Sequence, residues 1–472
     1  EFEQFERSHH AKGGNILASL DNRLAETIEG NRVPFNPHSP TPGRLVSQVN
    51  GMASVNSGCK QCHGSEMALE ATDGSLITVK QLKPDAKGKP TNTEVLALIK
   101  RNEDKDNQPV YHASTWPNTG IGRINLDGSL GSCSACHSRH DFSPRRARQP
   151  ENCGKCHLGP DHPQMEIYEE SKHGVAFRDL KEHMNLDATE WVLGKDYTQA
   201  PTCATCHMSR HSGADSVVTH DPGERISWTN RPPISLVMDT DDKGQVVTTT
   251  DPAERRAQVA NTWQEKRQEM QEVCKHCHTP NYVHAFYTQY DEFVINYNEK
   301  FAKPGTKIMT ALLENNLRTK PEFDEEIEWT WFYLWHHEGR RARHGVSMMA
   351  PDYAHWHGMY EVAERFYMEL IPQAREMAEE GREHGNAQGA DAVLSVIDEI
   401  LALPEHEWFQ LETKKLHAPG KTGEAAEAAG ETATDAGAEA QEKPSEAPAE
   451  GPDPAAKEEA SVEETPGETA AA

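Results

Sequence analysis

The chain of 472 residues is long enough to bury a substantial core and to form more than one domain. Only 36% of its residues are hydrophobic and its formal net charge is −27, which disfavours a nucleic-acid partner because phosphate binding needs a basic surface. No apolar run approaches the ~20 residues that a membrane-spanning helix requires.

The first ten residues, EFEQFERSHH, are amphipathic and differ from the hydrophobic segment of an export signal. Such an amphipathic stretch is typical of the interior of a domain. We therefore expect that the chain starts at a processed or truncated position.

Cysteine is found in one pattern only, the motif Cys-x-x-Cys-His. The thiol pairs are Cys59 and Cys62, Cys133 and Cys136, Cys153 and Cys156, Cys203 and Cys206, and Cys274 and Cys277, followed by His63, His137, His157, His207 and His278. This motif attaches c-type haem: the two thiols bond to the haem, and the adjacent imidazole takes one axial position on the iron. Disulfides or a zinc site could explain one copy, but five copies that use every cysteine indicate five covalent haems.

Short connections rich in Pro and Gly separate the motifs up to about residue 285. Such a region has little apolar core of its own, so we expect folding to be coupled to haem attachment. The polar segment 75–110, between the first two motifs, is predicted to lie on the surface.

Helical patterns dominate from Pro252 onward. Asp251 is a predicted N-cap with Pro252 in the first turn, and a second helical run is expected to stop at Pro304–Gly305. A further helix is predicted with Pro321 in its first turn, acidic residues early and arginines late. The last long helical region should run from Trp356 to Leu403 with a bend at Pro372.

The segment after about residue 418 contains no aromatic residue, and from Lys421 onward it has 14 acidic and 3 basic residues. Such a composition predicts disorder. The predicted fold class is therefore mainly α, with little regular sheet. We assign a multihaem domain with four motifs to 1–251, a bundle of long helices with the fifth motif to 252–418, and a disordered acidic tail to 419–472.

Histidine is abundant, at 25 residues. Electron-transfer haems commonly take a second imidazole as sixth ligand, so several of these histidines are candidates for that position. By their position near the motifs, or in segments such as RSHH and RARHG, the candidates are His9, His10, His140, His162, His173, His211, His220 and His344.

The stretch 133–174, with CSACHSRHDF, CHLGPDH and SKHG, resembles the fifth and sixth haem segments of the hydroxylamine oxidoreductase-like multihaem cytochromes. PTCATCHM and THDPGERISW are similar to the seventh segment, and Cys274–His278 to the eighth. The N-terminal EFEQFERSHH resembles the residues directly after the third haem motif of that family. Because family members carry eight haems, the resemblance implies that the region with the first three is absent from this chain; a five-haem protein is the alternative.

The resemblance implies roles for particular residues. The haem on Cys59 and Cys62, with His63 as its ligand, would be catalytic and would lack a sixth protein ligand. Asp161 and His162 would be acid–base groups over that iron, which replaces the reading of His162 as an axial ligand. Tyr353, in APDYAHWHG, would be the tyrosine linked covalently to the porphyrin of a neighbouring subunit. Arg231 takes the place of a distal tyrosine and would suit an anionic substrate.

The function implied is oxidation of hydroxylamine or hydrazine, with electrons relayed through bis-histidine haems. The alternatives are reduction of nitrite or hydroxylamine to ammonia, and pure electron transfer without a substrate. The expected partners are a small nitrogenous substrate, a cytochrome or quinone-linked acceptor, and two further copies in a homotrimer. Because c-type haem is attached after export, an extracytoplasmic location, such as the periplasm, is expected.

Overall fold

The computed structural model describes residues 1–14, 58–115, 118–210, 218–320 and 323–410. The predicted mainly α fold is confirmed for these residues. The N-terminal part consists of short helices: α1 (Phe2–Arg7), α2 (Lys60–His63), α3 (Val79–Leu82), α4 (Thr93–Leu98), α5 (Ser134–His137), α6 (Pro144–Arg148), α7 (Pro150–Gly154), α8 (Gln164–Glu170), α9 (Lys172–Leu180) and α10 (Cys203–Met208), with 3-10 turns at Ala113–Thr115 and Lys181–His183.

The segment between the first two motifs folds around a small core, which the surface reading of 75–110 did not predict. Strands β1 (Ala68–Glu70) and β2 (Leu76–Thr78) pair antiparallel, as do β3 (Arg101–Asn102) and β4 (Gln108–Pro109). The buried side chains that pack together are Leu69, Ala71, Ile77, Leu82 and Ile99. Each contributes about 1–3 kcal/mol of burial free energy, which stabilises this small core.

The C-terminal part consists of longer helices. They are α11 (Pro252–Gln258), α12 (Trp263–Cys274), α13 (Pro280–Tyr297), α14 (Lys303–Glu314), α15 (Glu326–Phe332), α16 (Gly339–Ser347), α17 (Pro351–Ala354), α18 (Glu361–Arg365), α19 (Ile371–Glu383) and α20 (Ala387–Leu401), with a 3-10 turn at Pro404–His406. The predicted cap of α11 is present, since the Asp251 carboxylate accepts hydrogen bonds from the amides of Ala253 and Glu254, both at 2.9 Å.

Wide π-helical turns join several of these helices. They are Asn298–Ala302, Tyr333–Glu338, His355–Tyr360 and Phe366–Leu370. Each widens the helix by one residue and shifts the faces of the helix after it.

The predicted stop at Pro304–Gly305 is wrong. The chain passes from α13 through a π-turn directly into α14, with Pro304 in its first turn. The irregular turn accommodates the missing amide of proline. The backbone at Gly305 lies so close to the Trp331 indole that a Cβ there would overlap the ring.

Pro372 likewise comes after a π-turn and lies in the first turn of α19, where the sequence predicts a bend. The single region expected from Trp356 to Leu403 is divided after Glu383, where Gly385 adopts a φ of +93°. The predicted first-turn role of Pro321 lies outside the described residues. The next helix starts at Glu326, and a capping box of Glu325 and Glu328 satisfies its first amides.

The main hydrophobic core lies among α13 to α20. Its largest fully buried members are Tyr297, Ile308, Leu312, Ile327, Leu334, Phe366, Leu370 and Ile397. The Tyr367 hydroxyl meets Nδ1 of the buried His406 at 2.7 Å, which fixes the segment after α20 against this core.

The described residues up to Gln410 form one compact unit, and α8 packs against both α16 and α17 across the predicted boundary at 251/252. That boundary stays a prediction. The predicted acidic tail, 419–472, lies outside the described residues. Among the described helices, none is long and apolar enough to span a membrane.

Candidate haem sites and acid–base cluster

Each Cys-x-x-Cys-His motif forms a single helical turn. The amides of His137, His157 and His278 donate to the carbonyl oxygens of the first cysteine of their motifs at 3.1, 2.9 and 3.0 Å. In this turn the two thiols and the imidazole project from neighbouring positions, which is what one covalently bound haem requires. At the fourth motif a capping box of Thr202 and Thr205 starts the turn.

The motifs pack against one another, with the third in the middle. The Cys62 thiol of the first motif lies at hydrogen-bonding distance from Cys156, and Cys153 lies equally close to Cys203 of the fourth. Lys155 donates to the Ala135 carbonyl of the second motif. Helix α10, which carries the fourth motif, packs against α12, which leads into the fifth. The five motifs therefore form one contiguous group.

Several motif histidines face a second imidazole. The ring centroids are 5.9 Å apart for His10 and His157, 6.5 Å for His220 and His137, and 6.1 Å for His173 and His278. Two imidazoles that bind opposite faces of one iron at about 2.0 Å place their centroids about 6 Å apart. These distances fit bis-histidine ligation of haem.

The protonation of the rings fits ligation as well. Burial lowers the pKa of His10 to about 3 and that of His157 to about 4, so both are neutral at pH 7 and keep a lone pair for a metal. Nδ1 atoms of His137 and His220 are buried without a hydrogen-bond partner. Beside Cys133 a cavity of about 320 Å³ is lined by Phe2, Phe5 and Phe142 together with polar residues that include Arg123 and Asn125.

The other predicted ligands have different surroundings. Nδ1 of His207 is 3.0 Å from the Pro222 carbonyl, a bond that orients a ligating ring. His9 lies beside Gly223. His344 lies in the interior, where burial lowers its pKa to about 3, with Gln164 3.4 Å from its Nε2. His140 is exposed and belongs to none of the imidazole pairs in the described ranges, and His211 lies outside them.

Glycines bring the N-terminal segment onto the first motif. The Gly14 amide donates to the Gly122 carbonyl, and the Gly122 amide donates to the His63 carbonyl, both at 3.0 Å. A Cβ on Gly14 or Gly122 would collide with the other strand of this crossing. The crossing thus places the segment with His9 and His10 next to His63.

Asp161 and His162, to which the resemblance assigns acid–base roles, contact each other and lie close to His63. Nδ1 of His162 is 2.5 Å from a carboxylate oxygen of Asp161, and Nε2 is 3.1 Å from the Cys156 carbonyl. The second carboxylate oxygen of Asp161 meets Arg340 at 3.3 Å. Burial raises the pKa of Asp161, but the hydrogen bond with His162 and the nearby Arg340 guanidinium outweigh it and hold that pKa at about 2.

Sequence reasoning missed His336 and Arg340, which α16 and the π-turn before it bring to Asp161. Nε2 of His336 is 3.9 Å from the Asp161 carboxylate. Burial and Arg340 lower the pKa of His336 to about 3, so it is a neutral imidazole at pH 7. The sequence HHEGRRARHG could have identified these two residues, because a helix so rich in His and Arg needs anionic or metal partners.

Tyr353 lies on α17, outside the Asp161 cluster. Its backbone passes so close to Gly345 and Gly358 that a Cβ at either glycine would overlap it. Burial raises the pKa of the Tyr353 hydroxyl, and nearby Glu166 adds to this effect. The fold therefore does not bring Tyr353 into contact with Asp161 or His162 of the same chain in the described residues.

The fold and the repeated motif define a multihaem c-type cytochrome with covalently bound haem. A family model described as "Seven times multi-haem cytochrome CxxCH" matches residues 126–322, which hold four of the five motifs.

Two comparisons with known proteins agree with this class. A probable nitrite reductase-hydroxylamine oxidoreductase fusion protein of Kuenenia stuttgartiensis is 29% identical over 208 residues. The match spans 41% of this chain and 24% of that relative, so the chain covers about a quarter of its length. A solved structure titled hypothetical multiheme protein shares the fold, with a TM-score of 0.55 and 23% identity over 80% of this chain and 77% of that one. The match to the Kuenenia protein agrees with the resemblance to the hydroxylamine oxidoreductase-like multihaem cytochromes, and the solved structure shows a shared fold.

Proposed function

We propose that this cytochrome is an oxidoreductase that oxidises a small nitrogen compound, hydroxylamine or hydrazine, at the haem held by Cys59, Cys62 and His63. The observation that supports this most directly is the Asp161–His162 pair beside His63. The other motifs would hold four further haems, making five in this chain. When bound, the haems supply a redox-active iron and a path for electrons between neighbouring motifs.

The residues around His63 handle the protons. Removing electrons from N–H and O–H bonds releases protons, which need an acceptor near the substrate. Asp161 is an ionised carboxylate at pH 7, and His162 shares a proton with it at Nδ1. Both ring nitrogens of His162 are engaged, Nε2 by the Cys156 carbonyl and Nδ1 by Asp161, so the Asp161 carboxylate is the group of the pair that would take a proton from the substrate. Neutral His336 offers a second acceptor.

A second candidate function is reduction of nitrite or hydroxylamine. It is favoured by the guanidinium groups of Arg231 and Arg340 near the Asp161 cluster, because they attract an anion such as nitrite. In this direction the Asp161–His162 pair would donate protons. Pure electron transfer, without an open iron, is the third possibility.

The same proposal extends to assembly and location. Since Tyr353 lies outside its own Asp161 cluster, we propose that it serves the site of a neighbouring copy in a homotrimer. A cytochrome or quinone-linked acceptor would take the electrons, outside the cytoplasm. Light scattering that gives a monomer would contradict the trimer.

Spectroscopy of the fully haem-loaded protein tests the proposal. We expect five haems per chain, one high-spin iron that binds carbon monoxide, and reduction of the haems on addition of hydroxylamine. A red-shifted band after reduction with dithionite would identify a haem crosslinked to Tyr353. If every iron is six-coordinate and hydroxylamine reduces none, pure electron transfer is the correct reading. Nitrite-dependent oxidation of the reduced protein would favour the reductive direction.

A further inference from the structure

We propose that Arg343 and Tyr297 form a clamp that positions Arg231 as the binding group for a small nitrogen oxyanion such as nitrite. This inference rests on the proposed function, in which the substrate site lies beside His63. Arg231 would contact the anion, whereas Arg343 and Tyr297 would act only through the loop that carries it.

Arg231 is part of a short loop, Asn230–Ser235, that is closed at its base. Trp228 and Val237 form an antiparallel bridge, and the Thr229 amide donates to the Leu236 carbonyl at 2.7 Å. The Leu236 amide returns a bond to the Thr229 hydroxyl at 2.8 Å. The two consecutive prolines, Pro232 and Pro233, restrict φ within the loop and supply carbonyl acceptors without amide donors.

Side chains from the helical core donate to four of the six backbone carbonyls of this loop. Arg340 donates to the Arg231 carbonyl at 2.8 Å, Arg343 to the Pro232 carbonyl at 3.1 Å and the Tyr297 hydroxyl to the Pro233 carbonyl at 3.0 Å. The Asn298 side chain then bonds both the amide and the carbonyl of Ser235, each at 2.9 Å. The backbone position of Arg231 is thus fixed from α13, α16 and the π-turn between α13 and α14.

Burying the charged guanidinium of Arg343 costs free energy, which argues that the residue has a specific role. Its side chain is 0% exposed and has no carboxylate partner in the part of the chain that the structure describes. Its charge is compensated by carbonyl oxygens, by the Ser235 hydroxyl at 2.7 Å and by the face of the Tyr297 ring, 4.2 Å away. A buried cation without a counter-ion destabilises a protein unless its hydrogen bonds are made. Of the four hydrogen bonds of Arg343, two go to the loop, at Pro232 and Ser235, and two go to the carbonyls of Gly339 and Trp335.

The guanidinium of Arg231 is available for a ligand. The side chain is exposed and pairs with no carboxylate among the described residues. One guanidinium, that of Arg340, contacts both the Arg231 carbonyl and the Asp161 carboxylate, so the loop and the acid–base pair are joined by a single side chain. A planar cation at this position matches the two oxygens of nitrite.

Calorimetric titration of the oxidised, haem-loaded protein with nitrite, at constant ionic strength set with chloride, tests the contact. Arg231→Gln should weaken nitrite binding about tenfold or more, the usual worth of a charged hydrogen bond. Arg375→Gln, which removes a surface arginine paired with Asp398, should leave nitrite binding unchanged. A wild-type protein that does not bind nitrite, or equal affinity in Arg231→Gln, would overturn the proposal.

The clamp is tested separately by Tyr297→Phe, which keeps the ring against Arg343 and removes only the donor to Pro233. We expect nitrite affinity to fall about threefold to tenfold and amide hydrogen exchange at Ser235 and Leu236 to rise. Tyr367→Phe, which removes another buried hydroxyl, is the matched control and should change neither. Faster exchange with unchanged nitrite affinity would refute positioning. Arg343→Lys gives a second test if it folds.

Carbon monoxide binding separates this inference from the proposed function. Carbon monoxide is neutral, so the Arg231 and Tyr297 variants should bind it as the wild type does. If the wild type binds nitrite through Arg231 but no iron binds carbon monoxide, the open catalytic haem is refuted and the anion site stands. If the variants lose carbon monoxide and nitrite binding equally, the clamp is merely structural.

Discussion

Replacement of Asp161 by Asn tests the acid–base pair most directly. Asn keeps the size of the side chain but removes the charge that meets His162 at 2.5 Å and Arg340 at 3.3 Å. Charge-assisted hydrogen bonds are worth about 1.5–3 kcal/mol each, against about 1 kcal/mol for neutral ones. The variant should therefore be less stable by about 2 kcal/mol, and proton transfer by a positioned side chain predicts a fall in turnover of about 100-fold.

The pH dependence of stability comes from the same carboxylate. Its pKa is depressed to about 2 from the ordinary value of about 3.9, so its contribution is fully present only above about pH 5. That contribution is lost as the pH falls through the folded-state pKa. Wild type should lose about 2 kcal/mol between pH 4 and pH 2, and Asp161→Asn should lose correspondingly less.

The assay is hydroxylamine-dependent reduction of an artificial electron acceptor by proteins with equal haem content. Asp187→Asn is the matched control, because Asp187 also pairs with an arginine, Arg145 at 3.1 Å, but at the surface. The control should retain wild-type turnover and stability, since exposed pairs contribute little. Turnover of Asp161→Asn within about twofold of wild type would refute the proposed proton role.

The remaining predictions concern ligation and folding. His173→Ala should open the iron that it is proposed to share with His278 and add one carbon monoxide-binding haem per chain. Lys172→Ala, the control, should add none. If His173→Ala leaves the number of carbon monoxide-binding haems unchanged, His173 is not an iron ligand. Asp251→Ala should lower the free energy of unfolding in denaturant by about 1 kcal/mol, because it removes the cap of α11. If the free energy of unfolding is unchanged, the cap contributes nothing to stability.

The sequence predicted the parts of the fold that depend on local chemistry. The cap at Asp251 depends on residues a few positions apart, and it is where the pattern places it. Proline was misjudged as a stop at Pro304, because a π-turn removes the need for its amide hydrogen bond and tertiary packing of Gly305 on Trp331 holds the helix together. The small core around Ile77 was hidden among polar residues.

The site was only partly predictable because it is assembled from distant segments. Asp161 and His162 are neighbours in sequence and were identified through the resemblance. Their contact with Arg340 joins residues 179 positions apart and depends on how α8 packs against α16. The clamp on the Arg231 loop joins residues far apart in the chain, as for Arg343 and Pro232, which are separated by 111 positions. Neither juxtaposition leaves a periodic pattern in the sequence.

The π-turns make the site sensitive to chain length as well as to side-chain identity. An α-helix advances about 100° per residue, so a deletion of one residue that converts Tyr333–Glu338 into regular α-helix would rotate the preceding helix relative to α16 by about that angle. Arg340 and Arg343 could then no longer face both the loop and the core that orients it. A single-codon deletion in this segment would separate the acid–base pair from its cations while every one of these residues is retained.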